Sequence, residues 1–121
     1  MTFSKRVFLI AGIWGLLIVS PLFFLFDMFG RMNPPAISHP EFYYGFLTVT
    51  LAWQLAFLVI GSDPARYRPL MLPAIVEKMA YVAAMLILFG QGRILSSQLA
   101  FAGTDFVLGA LFTIAFLKTR A

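Results

Sequence analysis

The chain has no cysteine, a single histidine and five acidic residues among its 121. The lack of cysteine excludes disulfides, thiol redox chemistry and thiolate-held metals. One histidine, His39, cannot build a multi-histidine metal site or a bis-histidine haem site within one chain. Charge is scarce too: 12% of residues are charged, against about 25% in a soluble domain. No phosphate-cradling glycine loop, zinc-binding histidine pair or Gly-x-Ser-x-Gly elbow occurs, and no cofactor motif is present. Ser38, Ser96 and Ser97 have no triad partners in the pattern.

Apolar residues take the place of what is missing. They make up 61% of the chain, and its mean hydropathy is +0.91. So short a chain has too little polar surface to cover such a core in water, so its apolar side chains must face lipid. The pattern predicts an all-α fold: one domain, a four-transmembrane-helix bundle with both termini cytoplasmic. The net charge of +4 comes from scattered basic residues that flank apolar runs. That is the distribution of helix anchors, and it excludes a nucleic-acid surface.

The four helices are predicted over about 7–29, 40–60, 70–89 and 97–117, each near the roughly twenty residues that cross a bilayer. Lys5 and Arg6 precede the first run as in a signal peptide, but that run is long and lacks a cleavage site, so it reads as a retained anchor. Asn33-Pro34-Pro35 predicts an extended turn, and Ser38 with Glu41 a capping box around Pro40. Asp63 before Pro64 predicts a brief turn. The third segment carries Pro73, Glu77 and Lys78 and reads as the least apolar, which leaves open a three-span alternative.

Charge decides for four spans. Lys5, Arg6, Arg66, Arg68, Lys118 and Arg120 then share one side, six residues against Arg31 and Arg93 on the other. The positive-inside rule puts the richer side in the cytoplasm. Similar endings of the first and third runs, and of the second and fourth, hint at a duplication, although chance likeness of Leu/Phe-rich segments is the preferred reading. Ala11/Gly15, Ala52/Ala56, Ala80/Ala84 and Gly109/Thr113 are small-residue pairs that predict packed faces.

Function, if it lies in the membrane, lies with the polar residues there. Counted at about 1.5 Å per residue, Glu77 and Gln54 fall in one layer roughly 10 Å from the cytoplasmic side, and Asp105, Thr48 and Ser20 in an outer one. The second and third helices share a short loop and are expected to be neighbours, so that Gln54 donates to Glu77. In the preferred alternative Glu77 lies near the headgroups and pairs with Arg66 or Arg68, while Lys78 snorkels to phosphates. Adjacent positions point about 100° apart, so Glu77 and Lys78 are not expected to meet. Asp105 is expected to pair with Arg93, Arg31, or a hydroxyl of Ser20 or Thr48. Arg31, His39, Glu41 and Arg93 form a candidate outer-face cluster.

The stretch Glu41-Phe42-Tyr43-Tyr44-Gly45, the loop from Asp63 to Pro69 leading to Glu77-Lys78, and the ending Asp105-Phe106-Val107-Leu108-Gly109-Ala110-Leu111-Phe112 resemble the small bacterial four-helix membrane proteins described as DoxX-like. The resemblance implies a four-helix bundle in a bacterial inner membrane. Some of that group are associated with quinone-linked sulfur oxidation, and no catalytic residue of that activity maps onto this chain.

Without a catalytic constellation, the leading expectation is non-enzymatic: an accessory subunit, or a binder of a small apolar or lipid-like molecule. Its partners would be the bilayer, a larger membrane complex or further copies of itself. One alternative is an oligomeric transporter coupled through Glu77 or Asp105. Another is an intramembrane enzyme acting on a lipid or quinone with Asp105, Glu77 or His39 as acid/base.

Overall fold

The computed structural model describes residues 2–32 and 37–119, and the described chain is helical. Helix α1 spans Phe3–Leu22, α2 Phe26–Met32, α3 Pro40–Ser62, α4 Met71–Gly90 and α5 Ala100–Lys118, with one-turn 3-10 helices at Arg68–Leu70 and Ser96–Leu99. Four of these stretches are long and apolar enough to cross a membrane: Phe3–Leu22, Pro40–Ser62, Arg68–Gly90 and Ser96–Lys118. The third is no less apolar than the rest, so the three-span alternative falls.

Three helix ends differ from the sequence reading. Thr2 caps α1 by accepting from the Lys5 N–H, which carries Lys5 and Arg6 into the helix. The first helix also stops at Leu22 instead of reaching Phe29. Pro21 offers no N–H, and the chain tightens through i→i−3 bonds from Phe23, Phe24 and Leu25 before α2 restarts. Finally, the N-cap of α3 is His39 and carries no side-chain bond. The capping box does not form, because with His39 as N-cap Glu41 is the second helical residue and not the third, and its carboxylate lies 3.3 Å from His39 Nδ1.

Other local signals act as expected. Asp63 closes a turn by accepting from the Arg66 and Tyr67 N–H groups. Pro73 sits in the first turn of α4, where its missing N–H is harmless. That helix ends in a Schellman motif: the Arg93 N–H reaches Leu88 O and the Gly92 N–H reaches Phe89 O. Gly92 takes the left-handed φ of 72° this requires. The Asn33-Pro34-Pro35 turn and Arg120 lie outside the described residues.

Packing is uneven along the bundle. Helix α1 lies along α3 and α4 along α5, while the hairpins join through α1 and α5. Helices α3 and α4 barely touch despite their short loop, so the expected neighbours are only weakly packed. The loop fixes where two helices meet but not how far they stay together.

The core fills one end of the bundle. Phe8 stacks on Phe112 at 4.3 Å, and Phe57 meets Phe112 edge-on at 4.9 Å, with Ile60, Met71, Ala74 and Ala115 closing around them. Ser4 Oγ donates to Ala115 O at 3.1 Å, and Lys118 lies over the Phe3 ring, so the two terminal helix ends lie together. Close approach of α1 and α3 depends on Gly12, Gly15 and Gly61, where an added Cβ would strike Leu58, Gln54 or Leu9. Of the small-residue pairs, Gly109/Thr113 and Ala11/Gly15 lie toward packed faces, whereas Ala80, Ala84 and Ala52 face outward. Ile10, Leu17, Val76, Ile87 and Leu117 are each more than half exposed, which in a multi-pass membrane protein is contact with lipid.

Candidate functional site

Away from the aromatic core the hairpins splay, leaving a half-open cleft of about 890 Å³. Trp14, Ile18 and Leu22 of α1, Phe42, Phe46 and Trp53 of α3, and Phe101 and Leu108 of α5 form its walls. Phe29, Ile37, Ser38 and His39 stand at its outer mouth. Helices α3 and α4, which both contribute to its walls, are only weakly packed on each other.

At the inner end lies a charged triad. Lys78 is 4% exposed, on the same buried stripe of α4 as Met71, Ala74 and Val82. Its Nζ stands 3.4 Å from Glu77 Oε2 and 3.4 Å from Asp105 Oδ1 of α5. The Phe57 ring of α3 faces the same ammonium at 5.2 Å. One cation therefore engages three helices. Glu77 Oε2 is buried, and the partner within reach is the Lys78 ammonium.

These contacts overturn several expectations. Lys78 does not snorkel: its stem runs inward along the α4–α5 seam and its long chain bends back to its neighbour Glu77, which backbone angles alone did not foresee. Asp105 pairs with Lys78 and not with Arg31 or Arg93, which are exposed at the far end. Arg68 does not pair with Glu77, since its Nε donates to Phe116 O at 3.1 Å and its guanidinium lies over the Phe116 ring at 3.7 Å. Gln54 lines the cleft, but its Nε2 donates to Thr50 O at 2.9 Å.

The remaining candidates divide. Glu77, Gln54 and Asp105 all line the one cleft. Ser20 and Thr48 are exposed outside it, and the Thr48 hydroxyl donates to Gly45 O. His39 stands at the mouth, paired with exposed Glu41. Thr50, Tyr81 and Thr104 line the cleft without having been singled out from the sequence, and Lys78, expected only to snorkel, lines it too. The spacing of Met71, Ala74, Lys78 and Val82 would have put Lys78 on a buried face.

The outer end has its own bracing. The Tyr43 hydroxyl donates to Leu22 O at 2.6 Å, supplying a partner for a carbonyl at the end of α1. Phe26 stacks on Tyr44 at 5.6 Å and meets Tyr43 edge-on at 5.1 Å, which docks α2 against the start of α3. Among the described residues no three His, Asp or Glu side chains gather as metal ligands. No family model, curated protein or solved structure matches the chain.

Proposed function

We propose that the protein binds a small lipid-like molecule in the cleft between its two hairpins, as a membrane binder or accessory subunit without a reaction of its own. The observation that carries this is an apolar cleft of about 890 Å³ with a charged triad at its closed end. The volume suits a molecule of a few tens of heavy atoms. Through the loose α3–α4 seam such a molecule could pass from the bilayer without crossing water. A bacterial inner membrane, with both termini cytoplasmic, is the setting this reading adopts.

Trp14 and Trp53 line the cleft and provide the assay. Titrating the detergent-purified protein with a bromine-labelled alkyl amphiphile should quench their fluorescence to a plateau. Quenching that rises linearly with no plateau would remove the reading. The transporter alternative has one observation in its favour, since both Glu77 and Asp105 line the same cleft. Uptake into proteoliposomes that is lost in Glu77→Gln or Asp105→Asn would favour transport over simple binding.

A further inference from the structure

Resting on the binding reading, we infer that the cleft selects cationic amphiphiles: molecules with an apolar body and one positively charged group. Apolar walls give little selectivity inside a membrane, because lipid tails offer an equally apolar surrounding. Discrimination has to come from the polar end. There the triad holds two carboxyl groups against one ammonium, so with both ionised it carries one uncompensated negative charge.

Access sharpens the argument. The Lys78 side chain is 5% exposed, whereas those of Glu77 and Asp105 are 20% and 22% exposed. The ammonium lies beneath, held by both carboxylates and the Phe57 ring. Of the triad, the two acidic side chains are the parts open to a ligand. An anionic headgroup would meet two like charges, and the lysine could not turn to it without abandoning both of its partners.

No other fixed cation offsets this. Of the described side chains lining the cleft, only Lys78 and His39 can carry positive charge, and His39 stands at the mouth beside Glu41. A charge left unbalanced at membrane depth is costly, and a ligand cation would relieve it. The rings of Trp14, Trp53 and Tyr81 line the route and add faces that attract cations. Glu77 Oε2 is itself buried beside Lys78, so a ligand charge would meet the exposed remainder of the Glu77 and Asp105 side chains.

Tetraphenylphosphonium and tetraphenylborate share a shape and differ in sign, so equilibrium binding of each to the purified protein, corrected for micelle partition, isolates charge. The phosphonium should saturate at one per cleft and bind at least about tenfold more tightly than the borate. Glu77→Gln and Asp105→Asn should each erase that preference, with circular dichroism confirming that the helices are kept. Because Glu77 pairs with Lys78 on its own helix, whereas Asp105 ties α5 to α4, the Glu77 variant is the gentler of the two and keeps the test open if Asp105→Asn unfolds. Equal binding of the two ions, or a preference for the borate, overturns the charge inference while the bromo-amphiphile plateau still upholds the cleft. If amphiphile and both ions all fail to saturate, the binding reading falls with it. A phosphonium that binds only after a dimer covering the α3–α4 seam is dissociated assigns the cleft to a second copy and also overturns the inference.

Discussion

Lys78 Nζ stands at the same 3.4 Å from Glu77 Oε2 on its own helix and from Asp105 Oδ1 on the neighbouring one. The lysine is the hub, because each carboxylate has it as ion-pair partner and the two acids would otherwise repel. Removing one member of a buried pair typically costs about 3–5 kcal/mol, since it strands the opposite charge. Lys78→Met should therefore lower the thermal midpoint in detergent more than Asp105→Asn does, the latter leaving Glu77 as partner. Adding Asp105→Leu to Lys78→Met should recover part of the loss. A Lys78→Met variant that melts with the wild type would show that the triad contributes nothing to the fold.

The glycines make a second, graded test. A Cβ on Gly12 would lie 2.9 Å from the Gln54 carbonyl oxygen and 2.7 Å from Leu58, so part of the clash is with backbone. A Cβ on Gly15 would strike the Gln54 amide group, which can swing toward the cleft. Gly103 has nothing within 4 Å of that position. Gly12→Ala should cost about 1–3 kcal/mol by overpacking, Gly15→Ala less, and Gly103→Ala nothing or a slight gain. Circular dichroism melts of the three variants give the order.

How far the sequence carried these conclusions depended on range. Four spanning helices follow from composition and apolar run length, and the ends at Gly92 and Asp63 from local residue chemistry. Pro21 was present to be read as well, and it does end α1, but an uncharged run of twenty residues outweighed it. The site was half legible. Depth counting groups Glu77 with Gln54, yet depth carries no rotation about the helix axis, so Ser20 and Thr48, assigned to the outer layer, lie exposed. The union of Lys78 with Asp105, 27 positions apart, depends on how α4 packs on α5, which no local pattern encodes.

The aromatic core predicts coupling. Phe8 and Phe112 stack with ring planes only 17° apart, and both are fully buried. Phe8→Ala should cost about 3–5 kcal/mol. In a cycle with Phe8→Leu and Phe112→Leu, the double variant should lose less than the two single losses together, by about 0.5–1.5 kcal/mol. Strict additivity in the melts would mean that the rings do not act as a pair.

Orientation can be settled without a ligand. Lys5, Arg6, Arg66, Arg68 and Lys118 gather at the aromatic-core end, which holds both terminal helix ends, while Arg31 and Arg93 lie at the other. A fluorescent protein that matures only in the cytoplasm should therefore light up when fused at either terminus. It should stay dark when inserted after Gly92. Moving the basic excess, by Arg66→Gln and Arg68→Gln together with added lysines beside Arg93, should weaken that asymmetry.

Blocking the cleft without touching its charge separates shape from electrostatics. Gly45 lines the half of the cleft away from the aromatic core, and a Cβ there meets nothing within 4 Å, so a larger side chain starts into open space. Gly45→Phe would direct a ring into space a ligand's apolar body needs, while leaving the triad intact at the inner end. It should abolish saturable quenching of Trp14 and Trp53 by the bromo-amphiphile. Its thermal midpoint should stay level or rise slightly, because glycine is a weaker helix former than phenylalanine by a few tenths of a kcal/mol. Glu77→Gln, in contrast, leaves the walls as they are and should keep amphiphile quenching while losing charge discrimination. If Gly45→Phe leaves quenching unchanged, the ligand does not lie between the hairpins, whatever its charge.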